Sequence, residues 1–303
     1  MAMRTVRPIA VPPVTVERTR GAGVQPSGTP RHQGTGRIGT YLLLVALSAL
    51  FSIPFVWLVL TSLKPESEVF SPGWIPHPVA TGNYIDVFRY APVLTWLRNS
   101  LIVSVLAVAS VLLSSALVAY AFARLRFPGR AQLFALVIGT YLLPGAATMV
   151  PTFLIWNKLH AVNTFFPLWA GNLFGSAFYI FLLRQFLLNI PQDLVEAARI
   201  DGASYFTIFW RIMLPLIKPA LITVAIFEFV AKWNDFLTPL IYLNRQDLYT
   251  MSLGLASLKV ENGQTQWSLW MAASVILTLP MVLLFFLAQR FFIEGIATTG
   301  SKG

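Results

Sequence analysis

No cysteine occurs among the 303 residues, which excludes disulfides, thiolate chemistry and Cys-ligated zinc or iron–sulfur sites. Charge is scarce: Asp, Glu, Lys and Arg make up 11% of the chain, against roughly a quarter in a soluble domain. Histidine is scarce too, and His32, His77 and His160 lie far apart with no ligand-like spacing, a poor basis for a metal site. There is no GxxxxGK followed by Ser or Thr, hence no phosphate-cradling loop in this chain. What is present is apolar surface: 56% of residues are hydrophobic and the mean hydropathy is +0.68. That balance sets aside an ordinary soluble enzyme, a disordered protein and a secreted disulfide scaffold.

A membrane-crossing helix needs roughly 20 mostly apolar residues, at about 1.5 Å each, to cover the hydrocarbon layer. Six apolar stretches bounded by Lys or Arg meet that need. They lie between Arg37 and Lys64, Arg98 and Arg124, Arg130 and Lys158, Lys158 and Arg184, Lys218 and Arg245, and Lys259 and Arg290. One holds charge in its core: the fifth, with Glu228, Lys232 and Asp235. Backbone groups in lipid must be satisfied internally, so the expectation is an all-α integral membrane protein with six transmembrane helices, over 38–303. Residues 1–37, rich in Pro, Gly and Arg, read as a disordered basic tail. With that tail ahead of it and a long apolar core, the first span does not read as a cleavable signal.

The net charge of +10 follows the topology. Fifteen Lys and Arg fall on the side of the tail, the Arg124–Arg130 turn, the 184–218 loop and the C-terminus, against six on the other side. The side with fifteen is expected to be cytoplasmic, with both termini inside. The basic excess then needs no nucleic-acid partner, since no basic face with interleaved aromatics forms a soluble module. The opposite loop, from Lys64 to Arg98, carries Trp74, Pro76, Pro78 and Trp96, suited to packing at the membrane surface.

The informative segment is the internal loop from Arg184 to Lys218. Pro191 suits the first position of a helix, Asp193 and Glu196 its opening turns, and Gly202 the left-handed residue that ends it, after about three turns. Ser204 caps a second helix that stops near Pro215. The first helix is too short to be stable alone in water. Leu194, Val195, Ala197 and Ala198 suit it equally to a partner's groove, to the lipid headgroups, or to a position beneath the bundle.

The run EAARIDGASYFTIFWRIMLP resembles the signature loop of ABC-importer permease subunits: Glu-Ala-Ala, three residues, Gly, nine residues, Ile, one residue, Leu-Pro. Glu196, Ala197, Ala198, Gly202, Ile212, Leu214 and Pro215 fill each fixed place. The extension DGASYFTIFWRIMLPLIKPAL, the segment FEFVAKWNDFLTPLIYL and the terminal ATTGSKG resemble the carbohydrate-uptake branch, in particular its maltose-type permeases. This resemblance implies a type I importer architecture in a bacterial or archaeal cell membrane. It implies a second permease subunit sharing the pathway, two ATPase subunits beneath, and an extracellular or periplasmic sugar-binding protein. ATP and Mg would sit on the ATPases, and this chain would be a transport subunit that binds no cofactor. By similarity, Glu196 makes a charged contact with an ATPase, Ala197 and Ala198 permit close seating, and Gly202 sets the bend. Asp201, Ile212, Leu214 and Pro215 complete the coupling segment.

In the fifth span, Glu228, Lys232 and Asp235 fall at i, i+4 and i+7, on one helix face. Charges in lipid are paired or face a cavity. One reading is that this face borders the substrate path, with Trp233 and Asn234 touching sugar and Asn172 as a further lining residue. The other, favoured on the residues alone, is an internal Glu–Lys–Asp network holding the helix against the sister subunit. Gly171, Gly175 and Ser176 read as a close contact between helices. A competing function is an ion-gradient-driven secondary transporter using the three charges as a relay. It leaves the loop pattern unexplained, and no internal repeat supports it.

Overall fold

In the computed structural model, the backbone of 34–258 and 265–299 and the side chains of 38–258 and 265–289 are described. Every regular element among them is helical. Of the expected tail, residues 1–37, the first 33 lie outside the described residues, as do 259–264 and 300–303, while 34–37 already belong to a helix.

The chain forms two units, 1–52 and 53–303. The first is represented by most of α1 (Gly34–Ser62), which starts ahead of Arg37. Over Ile38–Ser62 it is long and apolar enough to cross a membrane, and none of its apolar window is buried within the chain.

In the second unit, Asn83 ties the end of α1 to α2 (Asn83–Tyr90) by donating to the Ser62 and Lys64 carbonyls at 2.8 and 2.9 Å. The central element is α3 (Val93–Arg124), 32 residues without Pro or Gly. Ser100, Ser104, Ala107, Val111, Ser115 and Ala119 recur every three or four residues along it, all fully buried. Small side chains at that spacing let neighbouring backbones approach closely, the usual basis of helix packing in lipid. The neighbours are α7 (Ala177–Leu188) and α11 (Lys218–Trp233). Residues of α3 enter all three buried apolar clusters, through Val111 to Ala123 at one end, Val103 midway, and Val93 with Trp96 at the other.

The remaining elements connect around this helix. They are α4 (Arg130–Tyr141), α5 (Gly145–Lys158), α6 (Phe166–Trp169), α8 (Asp193–Ile200), α9 (Tyr205–Ile208), α10 (Leu214–Leu216), α12 (Leu237–Tyr242), α13 (Met251–Leu258) and α14 (Trp267–Thr299). Four stretches cross-qualify as spans unaided: Ile38–Ser62, Val93–Arg124, Phe166–Leu188 and Trp267–Gln289. The third expected span is instead two helices, α4 and α5, meeting at 98°. The break falls at Leu142–Pro144, where proline cannot continue the ladder. The fifth, expected between Lys218 and Arg245, opens with Lys218–Trp233, which meets the preceding loop helices, Tyr205–Leu216, at 77° around Ile217, just before Pro219.

One further expectation changes. Trp96 is not open to pack at a surface: it is 1% exposed, and its indole donates to the Gln246 carbonyl at 3.0 Å. Gly254 of α13 makes the room, since a Cβ there would stand 2.2 Å from the Trp96 ring. Trp74 of the same expectation is exposed.

Candidate functional site

The 184–218 loop folds as a short helix, a glycine bend and a second helix. α8 spans eight residues, about two turns rather than three. Pro191 stays outside it, because the first backbone bonds, from Val195 and Glu196, both close on the Gln192 carbonyl. Gly202 ends the turn at φ +79°, the left-handed conformation that glycine adopts without a Cβ penalty. Ser204 caps α9 by accepting from the Thr207 N–H at 3.1 Å. A wider π-type turn, Phe209–Met213, then leads into α10, so Pro215 is absorbed and the break comes two residues later.

α8 has one buried residue, Val195, inserted in the cluster with Tyr120, Leu187, Ile208 and Phe209. Its other face is open: Leu194, Glu196 and Ala197 are exposed, Ala198 is half-buried, and Ile200 is 87% exposed. Gln192 donates to Glu196 at 3.0 Å on this face. Asp201 and Gly202 are exposed too, and no atom lies within 4 Å of the Gly202 Cβ position. Ile212 and Leu214 are half-buried against the same core, while Pro215 is exposed. The structure therefore brings Glu196, Ala197, Asp201 and Gly202 to an open surface and packs Ile212 and Leu214 into its support, leaving Pro215 exposed.

That support includes groups with no local sequence signal. Arg124, at the end of α3, donates through Nη2 to the Leu187 carbonyl and to the Ile190 carbonyl at 2.6 Å. Tyr120 donates its hydroxyl to the Tyr205 carbonyl at 3.1 Å. Arg199 bonds the Tyr205 hydroxyl and lies 4.5 Å above the ring. An arginine closing an apolar span is the one visible hint in the sequence.

The charged span departs from expectation. α11 ends at Trp233, so Asp235 is not on its face; it accepts from the Thr238 N–H at 3.1 Å and caps α12. Asn234 is exposed and its amide donates back to the Val230 carbonyl at 2.9 Å. The two ion pairs among the described residues are Arg89–Asp86 and Arg245–Asp247, so Glu228, Lys232 and Asp235 form no network. Glu228 is 6% exposed and accepts from Asn172 at 2.5 Å, with the Tyr179 hydroxyl directed at the same carboxylate. Asn172 also donates to the Ala107 carbonyl at 3.2 Å, and its own carbonyl accepts from Ser114 at 2.7 Å. Of the contact expected at Gly171, Gly175 and Ser176, the last two take part: Ser176 N–H donates to Ser115, and a Cβ on Gly175 would meet Ile180 at 3.0 Å, while Gly171 is exposed with no atom within 4 Å of its Cβ position. Trp233 is 1% exposed, its indole bonded to the Leu277 carbonyl at 3.1 Å, so it packs inside the bundle and offers no face to a sugar.

A cleft of about 490 Å³ opens beside the α4–α5 bend, lined by Gly145, Thr148, Thr152, Pro167, Thr238 and Tyr242 among others. None of the five residues expected to line a path borders it. At the far end of α3, the Arg245 guanidinium bonds Asp247 at 2.6 Å and holds that carboxyl below its ordinary range.

Over residues 33–297 the sequence matches the family described as "Binding-protein-dependent transport system inner membrane component". It is 36% identical over 264 residues to the arabinooligosaccharides transport system permease protein AraQ of Halalkalibacterium halodurans, covering 86% of this chain and 93% of that one. To the osmoprotective compounds uptake permease protein GgtD of Synechocystis sp. it is 33% identical over 276 residues, 88% and 92% of the two chains. The fold matches a chain of the crystal structure of a bacterial ABC transporter involved in the import of the acidic polysaccharide alginate. The TM-score is 0.75 at 22% identity, covering 87% of this chain and all of that one.

Proposed function

Because this chain belongs to the binding-protein-dependent transport system inner membrane components, we propose that it is a permease subunit of an ATP-driven importer of sugars or oligosaccharides. It is a multi-pass membrane protein and a transport subunit, and its family works with a binding protein. The oligosaccharide class is supported by the substrates in the names of AraQ and of the alginate importer. A second permease subunit completes the pathway. The hydrolytic chemistry, with ATP and Mg, belongs to a pair of ATPase subunits. Both termini and the α8 loop face the cytoplasm, in keeping with the bias of Lys and Arg.

The observation that carries this reading is the anchoring of α8. One residue, Val195, is rooted in the bundle, while Leu194, Glu196 and Ala197 face outward. A helix of two turns exposed to water gains order by entering a partner's groove. ATP binding that closes the ATPase pair then pushes α8, and access to the pathway alternates. The cleft of Thr148, Thr152, Thr238 and Tyr242, where hydroxyls and an aromatic ring suit a sugar, supports a solute-facing wall there in preference to sealed Trp233. The ion-gradient reading loses its relay, since Glu228 is bonded to Asn172 while Asp235 caps another helix.

The test is uptake by vesicles holding this chain with its copurified partners and binding protein. Uptake is expected with ATP inside and in the presence of an uncoupler. Uptake that needs a proton or sodium gradient and ignores ATP would overturn the proposal.

A further inference from the structure

We infer that α3, rather than the helix continuous with the coupling loop, takes up the movement of α8, and that Arg124 and Tyr120 are the positioning residues through which it does so. The inference rests on the importer reading and deepens it by naming the route along which movement passes.

The continuous route is soft. From α8 to α11 the chain passes Gly202 at φ +79°, the π-type turn Phe209–Met213 and a 77° bend at Ile217. Each is a place where backbone torsion absorbs displacement before it reaches the membrane. The lateral route is short and stiff. Arg124 grips the carbonyls of Leu187 and Ile190, just before α8, and Tyr120 grips the Tyr205 carbonyl, just after it. Arg199 closes the bend over Tyr205, and the Tyr120 ring lies 5.2 Å from that of Phe209. α8 is thus held at both ends by one helix, one turn of which separates the two gripping side chains.

α3 is built to carry such a load. It has no Pro or Gly in 32 residues. Tyr120 and Asn99 are 21 residues apart, about 32 Å along the axis. At that far end Asn99 donates to the Asp247 and Tyr249 carbonyls at 2.9 and 3.0 Å, and Ser100 accepts from the Met251 N–H at 2.7 Å. Midway, Ala107, Ser114 and Ser115 bond the fourth span at Asn172 and Ser176. A rigid element in contact with both ends is a physical connection, beyond mere position between them.

The experiment uses the whole importer in proteoliposomes, with Tyr120→Phe and Arg124→Gln singly and together, and Arg124→Lys as the conservative variant. The double variant is expected to lose receptor-stimulated ATPase and uptake by roughly three- to tenfold or more, on the scale of one or two net hydrogen bonds. Basal ATPase and the amount of ATPase bound should be unchanged, with Arg124→Lys retaining more coupling than Arg124→Gln. A parallel loss of bound ATPase would mark a structural role and overturn the inference, as would full coupling in the double variant. Since the chain lacks cysteine, spin labels at exposed Arg126, just past α3, and exposed Asp193 of α8 report directly on the joint. Their separation is expected to hold between nucleotide-free and ATP-trapped states, and a change of one helical turn, about 5 Å, would overturn the inference. Failure of the unmodified complex to import with ATP would sink the importer reading itself. ATP-driven import that ignores the double variant sinks the strut alone.

Discussion

Replacing Gly202 separates backbone strain from contact at the coupling bend. The residue sits at φ +79°, and a Cβ built there meets nothing within 4 Å. Any penalty in the chain itself is therefore conformational. An L-residue forced left-handed costs about 1–2 kcal/mol, least for Asn, whose short amide tolerates that region, and most for β-branched side chains. At 1.4 kcal/mol per decade, Ala lowers the population of the correctly bent loop by about 5- to 30-fold relative to Gly. The expected order of ATP-driven uptake, at equal membrane levels, is Gly, then Asn within about twofold, then Ala, then Val. Reconstituted vesicles measure it, with ATPase copurification as the control for docking. If Asn were as damaging as Val, side-chain bulk against the ATPase would be the cause and the argument from φ would be refuted.

Three further outcomes follow from the same geometry. Gly254→Ala drives a methyl into the Trp96 ring, and overpacking of this kind costs about 1–3 kcal/mol, visible as a melting temperature lowered by several degrees in detergent; an unchanged melt would refute the packing argument. Glu228→Gln keeps an acceptor for Asn172 and should leave assembly and uptake near normal, whereas Glu228→Ala leaves the Asn172 amide with one acceptor fewer and should lower stability by about 1–3 kcal/mol; loss of transport in the Gln variant would show that the charge itself is needed. Glu196→Lys, on the exposed face of α8, should abolish ATP-driven uptake while the protein remains inserted, and normal uptake with normal ATPase binding would contradict its assigned contact.

How much of this was legible in the sequence depends on whether the signal was local. Gly202 and Ser204 mark a bend and a cap through their own backbone chemistry, and both stand where expected. Apolar runs bounded by Lys and Arg locate spans, because lipid excludes charge. The same rule says nothing about the path between the boundaries, so the 98° turn after Tyr141 was foreshadowed only by Pro144. Helical periodicity placed Glu228, Lys232 and Asp235 on one face, but Trp233-Asn234-Asp235 ends the helix and Asp235 caps the next. The partner of Glu228 is Asn172, 56 residues earlier, and the grip of Arg124 reaches 66 residues ahead. Such contacts come from the packing of distant helices, which no window of sequence contains.

The central claim, that α8 is seated in an ATPase, is tested most directly by a single cysteine at Ala197 in this otherwise cysteine-free chain. A thiol-reactive photocross-linker there should capture an ATPase subunit in native membranes, with the yield changing when ATP is trapped. Capture of lipid alone, or of no nucleotide-hydrolysing protein in any state, would contradict the account.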